Sequence, residues 1–167
     1  MVKVVHLTSV HPPLDVRIFY KECKTLAAAG YDVTLIAPGE REEIKDGVRI
    51  LGVPRPNGRR ERMTRTVWQV YRVALSENAD LYHLHDPELL TIGMLLRIWG
   101  KQVVYDVHED LPKQVTIKSW IPNRLRGQVS KIVTLLERLM GHILSGIVAA
   151  TPMIAPRFPT AKTIVVQ

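Results

Sequence analysis

The sequence predicts an α/β fold built on a doubly wound, mostly parallel sheet with helices on both faces. Short β-branched runs alternate along the chain with longer segments in which apolar residues recur at helical spacing. The chain has 167 residues, of which 46% are hydrophobic, and this suits a single domain with a sizeable core. We therefore take residues 1–167 as one domain, and we find no internal repeat in it.

Strands are expected wherever four to seven residues form an apolar, β-branched run. The predicted strands are residues 2–8, 32–37, 48–53, 81–84, 102–106, 146–150 and 163–166. Turn-forming residues end several of these runs, as Pro38 and Gly39 do after the second strand. Such runs are typical of buried strands in a parallel sheet.

Helices are expected between these strands, where apolar residues lie three and four positions apart. The predicted helices are residues 16–29, 62–77, 87–99 and one after a long loop that begins at Asn123, which we expect to cap it. Gly30 follows the first helix as a C-terminal stop. The apolar stripes are Phe19, Cys23, Leu26 and Ala27 in the first helix, Val67, Val70, Tyr71 and Ala74 in the second, and Val129, Ile132, Val133, Leu136, Leu139, Met140 and Ile143 in the last.

The start of the sequence and its cysteine content bear on the compartment in which the protein is expected. The sequence enters a strand pattern at once, without the charged and apolar regions of a secretion signal. A single cysteine, Cys23, excludes an internal disulfide, fits a reducing compartment and lies on a buried helical stripe. We therefore expect a cytoplasmic protein in which this thiol is structural.

The net charge of +7 is unevenly distributed. Residues 55–72 carry six arginines and one acid, residues 73–112 carry two bases and seven acids, and residues 113–167 carry eight bases and one acid. Basic segments attract phosphates on nucleic acids, anionic lipids or lipid pyrophosphates, and the alternative is a solvated helix face. No nucleic-acid-binding motif accompanies this charge, so we expect no nucleic-acid partner.

Polar residues follow several of the predicted strands. In a doubly wound sheet, ligands bind in the crevice at the carboxyl ends of the strands. The candidate residues in those loops are Ser9, His11, Asp15, Arg17, His85, Asp86, Glu88, His108, Glu109, Asp110 and Thr151. Because such loops meet at one edge of the sheet, we expect these side chains to form one site.

Motifs disfavour several kinds of site. A dinucleotide-binding site needs Gly-x-Gly-x-x-Gly, yet no glycine precedes Gly30, and no Walker motif is present. His83 and His85 face the same way on a strand and could ligate a metal ion together, which leaves a metal-dependent hydrolase as an alternative. Because no further His or Cys lies at ligand spacing, we predict no metal site.

Residues 106–110 are the richest in chemistry. Asp106 can accept hydrogen bonds from backbone amides in the turn, and His108 can donate to a substrate hydroxyl or phosphate. Glu109 or Asp110 could orient His108 or bind sugar hydroxyls. The alternative for this segment is a surface turn with solvated acids.

Three blocks of the sequence stand in a recognisable order. They are residues 9–22 with the helix and strand that follow, residues 83–90 (HLHDPELL) and residues 105–110 (YDVHED). Together they resemble the family 4 glycosyltransferases over essentially the whole chain. The resemblance implies half of a GT-B enzyme, which has two Rossmann-like domains and uses a nucleotide-activated sugar with retention of configuration and without a metal ion.

The resemblance also implies roles for individual residues. His108 would point into the cleft near the transferred sugar and assist the reaction, and the loop around His85 and Asp86 would line the acceptor cleft. The other expected substrate-binding residues are His11, Asp15, Arg17, Glu109 and Asp110. Two departures are the missing glycine pair of the first loop and the absence of the paired glutamates, which in the family belong to a C-terminal domain outside this chain.

These inferences predict the N-terminal, acceptor-binding domain of a retaining hexosyltransferase that builds a polysaccharide or glycolipid of the cell envelope. The domain is expected to bind no cofactor and to be inactive alone, because a missing C-terminal domain would bind the UDP- or GDP-sugar. The acceptor would be a glycan or a lipid-linked molecule. The alternatives are a UDP-sugar epimerase of the same architecture and a non-catalytic carbohydrate- or membrane-binding module.

Two basic segments that contain tryptophan predict contact with an anionic membrane. The residues expected to make this contact are Arg59, Arg60, Arg62, Arg65, Trp68, Lys118, Trp120, Arg124 and Arg126. We therefore expect the protein to bind peripherally to the inner face of the plasma membrane, less strongly as salt rises.

Overall fold

The structure is a computed structural model that describes residues 1–39 and 42–166. It divides into two compact units, Met1–Val104 and Tyr105–Gln167. Its strands are β1 (Lys3–Leu7), β2 (Asp32–Pro38), β3 (Glu43–Lys45), β4 (Val48–Val53), β5 (Leu81–Leu84), β6 (Gln102–Val107), β7 (Gly146–Ala149) and β8 (Thr163–Val165). All the predicted strands are confirmed to within one residue at each end.

The helices combine several backbone types. Their bounds are α1 over 16–28 (π-helical at Val16–Cys23, α-helical at Lys24–Ala28), α2 over 59–77 (Arg59–Glu61, π-helical at Arg62–Thr66, then Val67–Glu77), α3 over 87–98 (a 3-10 turn at Pro87–Leu89, then Leu90–Ile98), α4 (Leu111–Ile117) and α5 (Asn123–Ile143). Two short 3-10 turns, Ala155–Arg157 and Thr160–Lys162, precede β8.

The first unit contains a sheet whose strand order reverses at β1. The order is β3-β4-β2-β1-β5, in which β1, β2, β4 and β5 run parallel and only β3 is antiparallel to its neighbour. Because β2 and β5 lie on opposite sides of β1, the chain winds away from this strand in both directions. The carboxyl ends of β1 and β5 therefore flank a topological switch point, where such sheets bind ligands.

Helix α1 covers one face of this sheet. Asp15 caps its start, since the side chain accepts hydrogen bonds from the backbone N–H groups of Arg17 and Ile18. The helix ends before Gly30, whose φ of +89° suits a residue without a Cβ. The buried residues of this layer are Ile18, Phe19, Cys23, Val33, Leu35, Ala37, Val48 and Ile50.

Helix α2 covers the opposite face of the sheet. Tyr82 of β5 points away from the α1 side, and its hydroxyl contacts α2. The buried Tyr82 hydroxyl donates a hydrogen bond to the carbonyl of Ala74 in α2 and accepts one from the backbone N–H of Ala79. All four predicted apolar positions of α2 are buried, namely Val67, Val70, Tyr71 and Ala74. Helices on both faces confirm the doubly wound fold.

Strand β3, a three-residue strand that pairs with β4, was not among the predicted strands. Asp46 and Gly47 connect the two strands, and both have positive φ, at +49° and +79°. This is the backbone of a tight hairpin turn, which the dipeptide Asp-Gly favours. The signal was present in the sequence.

The second unit begins with the end of β6 and continues through α4, α5, β7 and β8. The backbone N–H of Ala150 donates to the carbonyl of Val107, and β7 pairs with β8 in parallel. Helix α4 lies in the segment expected to be a loop, and Asp110 caps it through a hydrogen bond from the backbone N–H of Lys113. The prediction that Asn123 caps α5 was wrong, since Pro122 occupies that position.

Helix α5 buries only part of the apolar stripe that its spacing predicted. Ile132, Leu136 and Leu139 are all more than half exposed. The buried residues of the helix are Glu137, Met140 and Gly141, of which only Met140 belongs to the predicted stripe, and the Glu137 carboxylate pairs with Arg157. An arginine partner and a glycine contribute to the buried side here, so apolar periodicity alone predicted that side only in part.

Among the described residues, none of the helices is both long enough and apolar enough to cross a lipid bilayer.

Candidate functional site

The carboxylate of Asp86 is the centre of the contacts at the switch point. Asp86 follows β5, is 3% exposed, and accepts hydrogen bonds at Oδ2 from Thr8 Oγ1 and from the Ser9 backbone N–H, both at 2.7 Å. The Thr8 hydroxyl in turn accepts hydrogen bonds from the backbone N–H groups of Val10 and His11. These contacts bring the loop after β1 together with the loop after β5.

His11 completes this arrangement with an ion pair. Its Nε2 lies 3.4 Å from Asp86 Oδ1, and its Nδ1 lies 3.5 Å from Asp15 Oδ2. The hydrogen bond with Asp86 raises the pKa of His11 above 6.5, against the opposing effect of burial. Burial would raise the pKa of Asp86, but hydrogen bonds from His11, Thr8 and Ser9 outweigh it and lower that pKa below 3.8. Protonated His11 is therefore favoured beside ionised Asp86.

A basic cleft of about 550 Å³ opens next to His11. Its walls include Ser9, His11, Pro38, Arg55, Arg59 and Arg62. Glu88 holds part of this wall, since its Oε1 accepts a hydrogen bond from Ser9 Oγ at 2.9 Å and lies 2.8 Å from Arg62 Nε. Arg62 and His11 are paired with Glu88 and Asp86, and Arg55 and Arg59 add two further positive charges to this wall, which favours an anionic ligand.

Asp15 and Arg17, both predicted to bind substrate, make contacts within the first unit. Asp15 is the cap of α1, and Arg17 Nε lies 3.3 Å from Oε1 of Glu22. Neither residue forms part of the basic cleft. Asp15 thus stabilises the start of α1, and Arg17 pairs within that helix, while substrate binding by either residue stays a prediction.

A second polar cluster lies between the sheet and α1. His85 was expected beside the acceptor cleft, yet its ring is buried, and its Nε2 lies 2.9 Å from Nδ1 of His6. His83 and Glu22 complete this cluster. Sequence reasoning missed His6 and Glu22 because both are far from His83 along the chain. The available signal was a histidine in the middle of an apolar strand.

In the second unit, His108 lies just after β6. Its Nδ1 is 3.7 Å from Oδ2 of the buried Asp106, a distance at which the carboxylate can orient the ring electrostatically. Asp110 caps α4 and lies 3.0 Å from Arg157 Nη1, whereas Glu109 is exposed. The helix cap and the ion pair made by Asp110 order this segment. The His108 side chain is partly exposed.

The residues predicted to contact a membrane divide into exposed and engaged groups. Trp68 and Trp120 are 56% and 57% exposed. Arg62 pairs with Glu88, and Arg126 donates to the carbonyl of Ile121. The remaining members that are exposed are Arg59, Arg60, Arg65 and Arg124, of which Arg65 also pairs with Glu61, and Lys118 is half-buried.

A Rossmann-like domain with a polar crevice at its switch point is the class of protein that this fold and site define. Within that class, the chain belongs to the family described as Glycosyl transferase 4-like domain, whose sequence model matches residues 17–161. This confirms the family resemblance predicted from the three sequence blocks. A comparison with curated proteins finds no match.

Several solved enzyme structures share this fold. Sucrose-phosphate synthase from Thermosynechococcus elongatus has a TM-score of 0.70 at 13% identity, over 99% of this chain and 48% of that one. Phytolacca americana apo UGT2 has a TM-score of 0.62 at 12% identity, over 100% and 52%. UDP-N-acetylglucosamine 2-epimerase from Rickettsia bellii has a TM-score of 0.58 at 13% identity, over 99% and 44%. The chain thus spans about half the length of each, and its fold is that of one half of a GT-B enzyme.

Proposed function

We propose that this chain is the acceptor-side half of a retaining hexosyltransferase, which transfers a sugar from a UDP- or GDP-sugar to a lipid-linked glycan of the cell envelope. The basic cleft beside His11 carries the proposal. A lipid-linked acceptor presents a phosphate or pyrophosphate, and Arg55, Arg59 and Arg62 line a cavity in which such a group would be favoured.

The contacts around Asp86 support this function by fixing the cleft wall. Ser9 Oγ contacts both Asp86 and Glu88, and Glu88 pairs with Arg62. A wall held by buried hydrogen bonds loses little conformational freedom when an anion binds, which favours affinity.

The donor site would belong to a second domain. The similar enzymes are about twice as long as the part this chain matches, which supports a partner half that binds the nucleotide sugar. The loop after β1 also lacks the glycines with which a backbone approaches phosphates closely. We assign the acceptor to this chain for these two reasons.

His108 would be the catalytic residue of this half. It follows β6 at a strand end, it is partly exposed, and the Asp106 carboxylate lies on its Nδ1 side. A histidine oriented in this way can donate a hydrogen bond to a sugar hydroxyl or a phosphate oxygen as charge develops during transfer. Replacing it with alanine should lower kcat far more than acceptor affinity.

We further propose that the protein binds peripherally to anionic membranes, where a lipid-linked acceptor resides. In the second unit, α5 exposes an apolar stripe close to basic residues of the same helix. That stripe comprises Ile132, Leu135, Leu136 and Leu139, and the exposed basic residues are Arg124, Lys131 and Arg138. Apolar and basic side chains on one exposed helix are typical of interfacial binding, which vesicle flotation measures.

Calorimetry with inorganic pyrophosphate tests whether the basic cleft binds an anion. We expect inorganic pyrophosphate to bind residues 1–167, and to bind less tightly as ionic strength rises or as the pH rises through the raised pKa of His11. A double Arg55→Gln, Arg59→Gln variant should lose this binding. Arg72→Gln is the matched control, because Arg72 lies on α2 outside the cleft.

The same experiment with nucleotide sugars separates the competing functions. Binding of a UDP- or GDP-sugar by the full-length protein, and not by residues 1–167, supports the proposed division. Tight binding by residues 1–167 alone would place the donor site here and contradict it. Conversion of a UDP-sugar by the full-length protein without any acceptor would indicate an epimerase instead.

A further inference from the structure

Three histidines and a glutamate from separate parts of the sequence converge inside the first unit. His6 of β1 pairs in register with His83 of β5, so the two rings lie on the same face of adjacent strands. His85 follows β5 directly, and its ring stacks on that of His83 with the ring centroids 4.7 Å apart, so it lies on that face too. Glu22 reaches the same place from α1, which covers this side of the sheet.

The ligand atoms of these four residues lie within 4.8 Å of one another. His6 Nδ1 is 2.9 Å from His85 Nε2, and Glu22 Oε2 is 3.8 Å from both His83 Nδ1 and His85 Nε2. Ligands that surround zinc tetrahedrally at about 2.0–2.1 Å are separated from one another by about 3.3 Å. The observed separations fall on both sides of that value, so side-chain shifts of a few tenths of an ångström to about 1 Å would seat an ion.

The four side chains of this cluster are largely shielded from solvent. The side chains of His6 and His85 are 0% exposed, and those of His83 and Glu22 are 11% and 18% exposed. Four protein ligands in a buried position are typical of structural metal sites, whereas catalytic sites leave a coordination position to water. Calcium and magnesium are disfavoured here because they select oxygen ligands, while imidazole suits zinc and its neighbours.

An outer contact orients the glutamate. Arg17 Nε lies 3.3 Å from Oε1 of Glu22, which leaves Oε2 directed at the histidines. Metal-ligating carboxylates are commonly held in this way, and their outer partners tune affinity. Substrate binding by Arg17 stays a prediction, and this geometry adds that its side chain pairs with Glu22.

We propose that His6, Glu22, His83 and His85 form a structural site for one divalent transition-metal ion, with zinc as the ion that the donor set fits best. The ion would join β1, β5 and α1 directly beneath Asp86, the residue that holds the loop after β1. The absence of a metal site was predicted because only ligands near His83 in sequence were considered. This inference does not depend on the proposed glycosyltransferase function.

Metal content tests the proposal on the full-length protein, purified without a histidine tag from zinc-supplemented medium. We expect one equivalent of zinc per chain by mass spectrometry, and a melting temperature that falls on chelation and recovers with added zinc. Cobalt substitution should give the visible absorption of a four-coordinate site. Glu22→Gln should weaken zinc binding by at least about 10-fold, the lower end of what outer ligand partners contribute, and Arg17→Gln by about 10-fold.

Control variants distinguish this site from adventitious binding. His11→Gln and His142→Gln alter histidines outside the cluster and should leave the metal content unchanged. Should Glu22→Gln fail to fold, titration of the chelated wild-type protein with zinc still decides the question. A folded protein that contains no metal, binds none in titration and keeps its melting temperature in chelator would overturn the proposal.

Discussion

Replacing Asp86 with asparagine should cost about 2–3 kcal/mol of the free energy of unfolding near pH 6 and lower the pKa of His11. The amide oxygen can still accept from Thr8 and Ser9, but both hydrogen bonds lose their charge assistance. Hydrogen bonds to charged groups are worth about 1.5–3 kcal/mol, against about 0.5–1.5 kcal/mol for neutral ones, so two short bonds lose about 2 kcal/mol. The lost ion pair with His11 adds to this.

The pH dependence of that difference follows from the two pKa values. Because the pKa of His11 is raised in the folded state, protonated His11 contributes fully to stability below pH 6.5. This contribution is lost as the pH rises through the folded-state pKa. Because the pKa of Asp86 is lowered in the folded state, ionised Asp86 contributes fully to stability above pH 3.8. This contribution is lost as the pH falls through the folded-state pKa. The variant should therefore differ most from wild type in the window between about pH 4 and 6.5.

Urea unfolding measures the stability, and an NMR titration of the imidazole measures the pKa of His11. Asp15→Asn is the matched control, because Asp15 also approaches His11 but asparagine caps a helix as well as aspartate does. We expect the control to lose less than about 1 kcal/mol, as partly exposed ion pairs do. Equal losses in the two variants, or an unchanged pKa of His11 in Asp86→Asn, would refute this reasoning.

Two further predictions concern α5 and the exposed tryptophans. Gly141→Ala should destabilise the protein by about 1 kcal/mol, because the added Cβ would lie 3.0 Å from Phe158 Cδ1, whereas Gly127→Ala in the same helix meets nothing within 4 Å and should stabilise it by up to about 1 kcal/mol. Thermal unfolding decides both, and a stabilising Gly141→Ala would show that Phe158 can move aside. Trp68→Ala and Trp120→Ala should each reduce flotation with anionic vesicles at low salt. Wild-type protein that does not float under those conditions would refute the membrane proposal.

The sequence predicted the strands of the sheet well because each buried strand is a short apolar run that resists other interpretations. It failed at β3 and α4, and it predicted the buried side of α5 only in part. Helix α4 depends on a cap from Asp110, and the packing of α5 depends on the pairing of Glu137 with Arg157. These polar contacts form only in the folded protein, and they produce no periodic pattern in the sequence.

The candidate site was predictable only in part, for a related reason. The rule that ligands bind at strand ends located Asp86 and His11, whose contacts lie at the switch point. The cluster around His6 required the register of β1 against β5, which no local pattern reveals. The direction of the Arg17 side chain toward Glu22 was likewise set by helix α1.

The short strand β3 has a consequence for the solution behaviour of the protein. Strand β4, buried and rich in β-branched residues, would otherwise present an open edge to other chains, and such edges template intermolecular pairing. β3 occupies that edge with three residues, and two of them, Glu43 and Lys45, are charged. Its one apolar side chain, Ile44, is 77% exposed, yet a strand this short offers little backbone for a neighbour to extend. The hairpin at Asp46 and Gly47 thus protects the protein against aggregation at this edge of its sheet.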